Sequence, residues 1–505
     1  MKKIVIVPLD ERPCNYVFPQ LLTKDTDYEI VLPDLSLMGQ KKTPGDIEKL
    51  WKFVFEHAST ASGMILSIDT LMYGGIVPSR LHSDNEDVLL ERLSQLEEIR
   101  KLYPNLDLFA FNLIMRNPTY SSDDEEPTYY QHVGREIHLR GVYEHKEMLG
   151  ILTEQEKQDY QVVLSKLDTP SWTDYTERRK RNKEVNKKVI SYVQENIIDF
   201  LIIPQDDASP YGLTALDQKD IRVTIKNNQV MSRVMMYPGA DEVMNTLLAR
   251  MINQFEGVKP TVYLKYASEE SKKLIPLYED RPIHETIKYQ VIAAGGIVID
   301  SDIDADLILI TNAPPSKQLN ASQAYLKGIE YDAFRNQIEA VEYASYMIRN
   351  NKQVIFGDVA FGNGSDLDLI QLLVEKGMLF QLAGYAGWNT SSNTLGTCIP
   401  QGMIYNIYKE TKAHLDFLAL RYVEDAGYCA TVRQDAITNV LPALNCNYFK
   451  ADGQRGIVAK SVEKLLNEFV STHLYDETYN IVITDCYMPW SRMFEVGVLA
   501  EVQKK

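Results

Sequence analysis

The sequence has 505 residues, 45% of them hydrophobic and 24% charged, with a formal net charge of −17. That length exceeds one ordinary domain, so two or three are expected unless a large α/β barrel takes most of the chain; the composition excludes a disordered or fibrous protein. The negative charge argues against nucleic acid or an anionic membrane as partner, because both demand a cationic footprint.

The chain starts MKKIVIVPLDERPCN. After Lys2 and Lys3 the apolar run ends at Pro8 and Asp10, short of the roughly 7–15 residues of a secretory h-region. No stretch approaches the ~20 apolar residues of a membrane span. The five cysteines are scattered and never form a C-x-x-C pair, which excludes a zinc ribbon and argues against a disulfide framework. A soluble, reduced, cytoplasmic protein is expected.

Short β-branched runs alternate with longer amphipathic stretches, the α/β pattern. Strands are predicted at 4–8, 63–68, 107–114, 199–204, 232–236, 261–266, 306–311, 353–357 and 480–484, and helices at 88–102, 176–196, 241–254, 284–294, 322–350, 366–376 and 459–472. The expected fold is α/β with mostly parallel strands. It comprises a barrel-like (β/α) core, a smaller α/β region and a helical C-terminal part; the alternative is two or three Rossmann-like domains. Residues 1–255 form the first part of the core. Residues 256–320 form the smaller unit, either an insert or later barrel strands, and 321–505 hold the rest of the core with the C-terminal helices.

The loops after the strands are more informative than the strands themselves. The first strand leads into Asp10, Arg12 and Asn15, the second into Asp69 and Tyr73, and the third into Arg116. After the fourth come Asp206 and Asp207, after the fifth Tyr237 and Asp241, and after 353–357 comes Asp358. In parallel α/β folds, ligands bind at the carboxyl ends of the strands.

IIPQDDASPYG is the sharpest signal. Two adjacent carboxylates cannot both ionise freely, which makes an acid beside a base, the pairing that glycosidases use. The plainer reading has Asp207 cap the following helix. AGYAGWNTSSNTLG offers Trp388 as a stacking face and Asn389 and Asn393 as amides, a set suited to sugar rings and hydroxyls; the plainer reading is a turn feeding a capped helix with Trp388 in the core. Asp241 and Glu242 sit where a helix start favours acids without further purpose. The acidic run 123–126 and the basic run 178–183 read as solvated. The common nucleotide, hydrolase-elbow and zinc motifs are missing. No cofactor is expected, and a carboxylate-only Mg²⁺ or Ca²⁺ site is the alternative.

Taken in order, PLDERPCN, IDTLMYGGIVPSR, EEPTYYQHVGREI, IPQDDASPYG, YPGADE, YEDRP, DVAFGNGSD and AGWNTSSNTLG resemble the signature blocks of a bacterial family of about this length, domain-of-unknown-function family 4127. The resemblance covers most of the chain. It departs at AGWNTSSN, where AGWNTAGN is more usual, and Trp388, Asn389 and Asn393 stay in place. The resemblance implies that the polar strand-end blocks serve one family-wide site; it implies no reaction. The Asp206–Asp207 pair also looks like that of barrel-type hexosaminidases that use substrate assistance.

The expected function is a hydrolase acting on a carbohydrate. Asp206 and Asp207 are catalytic, and Asp10, Arg12, Asn15, Asp69, Tyr73, Arg116, Tyr237, Asp241, Asp358, Trp388, Asn389 and Asn393 bind substrate. The alternatives are a carboxylate and divalent-metal enzyme on a phosphorylated or amide substrate, and a non-catalytic small-molecule binder. The expected partner is a small molecule, a sugar, with no nucleic acid and no membrane; the oligomeric state stays open.

Overall fold

Runs such as Ile4–Val7 and Leu201–Ile203 are fully buried, because a parallel strand covered on both faces needs a continuous apolar sequence rather than an alternating one. The computed structural model describes residues 1–505. Its strands assemble into two large sheets, one in each of two units of the chain. Unit 1 comprises Met1–Glu11, Glu29–Met244 and Tyr278–Asp280; unit 2 comprises Arg12–Tyr28, Asn245–Leu277 and Arg281–Lys505.

The sheet of unit 1 contains β1 (Lys2–Val7), β2 (Tyr28–Val31), β3 (Gly63–Ser67), β4 (Asp107–Phe111), β5 (Phe200–Gln205) and β6 (Val234–Pro238), in the order β2-β1-β3-β4-β5-β6. From β1 across to β6 the pairings are parallel, with Ile4 opposite Gly63 and Phe109 opposite Phe200. Strand order reverses between β1 and β3, the topological switch point at which doubly wound sheets open a crevice beyond the strand ends. The long connection from β4 to β5 carries the helices Tyr130–Met148, Glu154–Lys166 and Thr169–Gln194. They enclose a small core of Met115, Tyr130, Ile137, Leu167 and Tyr175.

Unit 2 contains β7 (Thr261–Tyr266), β8 (Ile297–Ile299), β9 (Leu307–Asn312), the two-residue β10 (Leu319–Asn320), β11 (Gln353–Asp358), the two-residue β12 (Phe361–Gly362), β13 (Gly384–Ala386), β14 (Tyr479–Tyr487) and β15 (Gly497–Lys504). Its main sheet has the order β8-β7-β9-β11-β13, with all pairings parallel. The first strand of the unit again lies second in the sheet, and the order reverses between β7 and β9. Both units therefore wind the same way.

The parallel α/β architecture is as expected from sequence, but the barrel is not what forms. A barrel joins its first and last strands, whereas both sheets here end in free-standing edge strands. The Rossmann-like alternative describes the molecule. The strands of residues 256–320 do not make a sheet of their own, since β7 and β9 share one with β11 and β13. The C-terminal region has the helix Ile457–His473 and then an antiparallel hairpin, β14 with β15, bulged between Ile483 and Asp485. No helix is long and apolar enough to cross a membrane.

Candidate functional site

In unit 1 the exits of β3, β4 and β5 bring charged side chains together. The turn Pro78–Arg80 supplies Arg80, which is buried. Its Nη1 donates to Glu125 Oε2 at 2.8 Å and its Nη2 to Asp206 Oδ2 at 2.7 Å. Arg116, beyond β4, donates from Nε to Glu126 at 2.8 Å, from Nη2 to Glu125 at 3.1 Å and from Nη1 to Asp207 at 3.3 Å. Such multidentate guanidinium contacts fix direction as well as charge. The backbone of Arg116 is held too: its carbonyl accepts from Tyr175 Oη at 2.7 Å and from Arg179 Nη1 at 3.0 Å.

Two guanidiniums thus face four carboxyls, Glu125, Glu126, Asp206 and Asp207. When all four ionise, they carry two more negative charges than the two guanidiniums balance. Asp207 feels this most. Burial and the neighbouring Asp206 charge push its pKa up to about 6, against the pull of Arg116 and Arg80. Its side chain nonetheless keeps 27% exposure, and its backbone sits in the left-handed region at φ 44°, which a residue with a Cβ adopts at a cost. Glu126 is raised by burial as well, with the two arginines opposing.

Asp207 does not cap a helix. The next helix, Leu213–Asn227, starts six residues later with Gly212 as its cap. The run 123–126 is not solvated, because Glu126 is 1% exposed inside the arginine network. Nor is 178–183: Arg178, Arg179 and Asn182 are buried, and Arg179 is the residue that pins the Arg116 carbonyl. Arg80, Glu125 and Glu126 escaped the sequence reading although IDTLMYGGIVPSR and EEPTYYQHVGREI contain them.

The other residues of unit 1 surround this network or brace it. Asp69 accepts from Leu113 N at 2.9 Å and Asn112 Nδ2 at 3.2 Å, tying the exit of β3 to that of β4. Burial lifts its pKa to about 6 while these donors oppose the shift. Thr70 Oγ1 joins the β3 exit to the carbonyls of Pro8 and Leu9, at 2.7 and 2.9 Å. The buried Tyr73 ring lies 4.5 Å from the His82 ring, and its hydroxyl has no hydrogen-bond partner. Asp10, Tyr237 and Asp241 are buried at the ends of β1 and β6. Gly239, at φ 140°, lets Glu242 fold back to accept from Ala240 N at 3.0 Å.

Unit 2 carries a separate polar network at the exits of β11 and β13. Asp358 accepts from Asn312 Nδ2 at 2.9 Å, Asp366 N at 2.7 Å and Tyr385 Oη at 3.1 Å. Asp366 is clamped by Arg335 at 2.5 Å and by Gln337 at 2.8 Å. Asp425 accepts from Gly387 N at 2.7 Å and from Arg421 at 3.0 Å. Burial raises both Asp358 and Asp425; the Asp366 charge adds to the first, and Arg421 opposes the second. Arg335, Asp366, Tyr385, Arg421 and Asp425 were not foreseen from sequence; Arg335, Tyr385 and Asp425 act through partners 27 to 38 positions away, and Arg421 pairs locally with Asp425.

Trp388 lies in the core, where the plainer reading of its stretch puts it. It is 5% exposed, it packs edge-on to Phe18, and its Nε1 donates to Thr397 Oγ1 at 3.1 Å. Asn393 is buried at the start of the helix Ser391–Tyr408. Asn389 has φ 51°, and its carbonyl accepts from Asn363 N. Arg12 lies 4.6 Å over the Trp490 ring and 3.8 Å from Glu495; Asn15 is buried beside Cys14. Among the expected site residues, only Asp206, Asp207 and Asn389 are partly exposed. No group of three or more His, Cys, Asp or Glu side chains is arranged to hold a metal ion.

Compared with the curated proteins and with the solved structures, the chain has no match. The model of one family covers residues 4–499, and the chain belongs to that family, described as protein of unknown function (DUF4127).

Proposed function

We propose that the chain is a hydrolase that cleaves a carbohydrate by acid–base catalysis in unit 1. Asp207 gives a proton to the leaving oxygen as the glycosidic C–O bond breaks, water adds to the anomeric carbon, and Asp207 takes back the proton that this water releases, while Arg80 holds Asp206 as an oriented carboxylate. The observation that carries this reading is Asp207 itself: a partly exposed acid, raised to about 6, beside a second carboxyl and on strained backbone. An acid with a pKa near the working pH is the one best placed to donate and accept.

The sign of the charge supports the substrate class. A cluster with more carboxyls than guanidiniums favours the positive, oxocarbenium-like centre of glycoside cleavage and disfavours a phosphorylated substrate or a developing oxyanion. The five free cysteines fit the reducing conditions of a cytoplasm.

The test is a screen of aryl glycosides and natural oligosaccharides, with and without EDTA, on the wild type and on Asp207→Asn. The expected outcome is EDTA-insensitive cleavage that falls by roughly 10²–10⁴-fold in the variant. Unchanged turnover by Asp207→Asn would end this mechanism.

A further inference from the structure

The helix Leu367–Glu375 of unit 2 buries Leu369, Ile370 and Leu373 on its inner face. Its outer face bears Asp368, Gln371, Leu372 and Glu375. Their spacing of i, i+3, i+4 and i+7 makes one stripe along two helical turns, about 10 Å at the usual rise. That stripe is one wall of a groove of about 550 Å³. The other wall is residues 331–338, which lead from the helix Ile329–Ala333 into the helix Gln337–Arg349.

The buried residues of this lining have their partners already. Arg335 donates from Nη1 to Asp366 at 2.5 Å and from Nε to the Tyr331 carbonyl at 3.1 Å. The Tyr331 hydroxyl donates to the Lys317 carbonyl at 3.1 Å. An occupant therefore has no polar group to satisfy at the base. Around the groove the surface is apolar and acidic. Ile329, Phe334 and Ile338 are each more than half exposed, and Leu367 is also exposed. Apolar side chains scattered singly need no explanation, but ones gathered beside a groove mark a protein-binding surface. Asp332 and Asp368 share one cation, Lys327, at 3.1 and 3.0 Å. Glu375 accepts from Gln371 at 2.8 Å and pairs with no cation. Three carboxylates against one lysine leave two negative charges unbalanced.

Charge and shape select the occupant. A second copy docked face to face would set the same negative excess against itself, on a chain whose net charge is already −17. An aliphatic polyamine would meet the carboxylates but is too slim to cover Phe334, Ile338 and Leu367. An amphipathic helix answers both features, with an apolar stripe for the groove and cations beside it for the acids. We propose that the groove between residues 331–338 and the helix Leu367–Glu375 docks a basic amphipathic helix of a partner protein. Its apolar stripe packs on Ile338 and Leu372, and its flanking Lys or Arg residues meet Asp332, Asp368 and Glu375. This surface belongs to unit 2 alone and stands whether or not Asp207 is the catalytic acid.

Fluorescence anisotropy with the full-length protein tests it, using two labelled helical peptides of about 15 residues. Both carry the same leucine stripe, flanked by lysines in one and by glutamates in the other. The expected result is saturable one-to-one binding of the lysine peptide and none of the glutamate peptide. Ile338→Ser and Glu375→Lys should each weaken binding at least about tenfold. Glu91→Lys, the same charge change at an exposed position in unit 1, should leave it as in wild type. Ile338 and Glu375 are exposed, so both variants should melt with wild type. Hydrogen exchange gives a readout free of any variant: on wild type, the lysine peptide should slow exchange in Leu367–Glu375 and leave β3, β4 and β5 unchanged. No saturable binding of the lysine peptide, wild-type affinity in either groove variant, or an equal loss in Glu91→Lys would overturn the docking site. Protection that misses Leu367–Glu375 would overturn it as well. Displacement of the peptide by spermidine, with wild-type affinity kept in Ile338→Ser, would overturn it and make the groove a polyamine site.

Discussion

At the scale of single residues, the raised pKa of Asp207 has a consequence for stability that is independent of catalysis. An acid whose folded pKa lies above its unfolded value of about 3.9 costs stability when ionised. The cost is fully present above about pH 6 and gone below about pH 4. Asp207→Asn removes it. The variant should gain up to about 3 kcal/mol at pH 7 and nothing at pH 4, an upper bound from the size of the shift. Urea unfolding at the two pH values measures the difference. Arg116→Met should act the other way, because it leaves the buried Glu126 with its charge poorly compensated. A loss of about 3–5 kcal/mol is expected at pH 8. It should shrink by pH 5, as the carboxyls that Arg116 paired take up protons. Asp206, Asp207 and Arg116 were legible in the sequence because polar residues at the end of an apolar strand are out of place in any plain turn. Arg80, Glu125 and Glu126 were not. Acids in a run look solvated until a partner from elsewhere in the chain buries them, and Arg80 pairs with Asp206 across 126 positions.

At the scale of elements, long apolar strands and amphipathic helices were readable and short or interrupted ones were not. The inner strands β1, β3, β4, β5, β7, β9 and β11 match the predicted runs closely; in all but the half-buried β7, burial on both faces writes itself into consecutive residues. The edge or terminal strands β2, β8 and β13 have three or four residues each, too few to show a period. The helix Ser391–Tyr408, of which the sequence showed only a capped start, runs on through Pro400, a residue that normally breaks a helix. Glycine placement is a further element-level constraint, and Gly239 is its clearest case. A Cβ there would stand 1.9 Å from Glu242 Oε1, at φ 140°. Gly239→Ala should therefore cost about 1–3 kcal/mol and release the Glu242 carboxylate from Ala240 N. Chemical denaturation checks the first effect. Wild-type stability in the alanine variant would show that the turn after β6 relaxes freely.

At the scale of the whole molecule, alternation of strands and helices announced α/β but could not choose between barrel and open sheets. That choice lies in strand order: after β2 the chain returns past β1 to build β3, and no local pattern records the return. The same limit applies to the division into units, because neither unit is one continuous segment. Arg12–Tyr28 follows the first strand of unit 1 yet belongs to unit 2. There Phe18 packs edge-on to Phe417 at 5.4 Å and to Trp388 at 6.2 Å, under the Arg421 guanidinium at 4.4 Å. Asp25 adds a link by accepting from Ala413 N at 2.7 Å. Phe18 is thus a core residue of unit 2 supplied from the start of the chain. Phe18→Ala should cost about 3–5 kcal/mol, and the loss should appear where the side chain packs rather than where it stands in sequence. Hydrogen exchange should show faster opening of the helices Lys412–Arg421 and Ser391–Tyr408, with β3, β4 and β5 keeping wild-type protection. Loss of protection confined to the strands of unit 1 would mean that the Arg12–Tyr28 segment supports the unit it follows in sequence and not the one that encloses it.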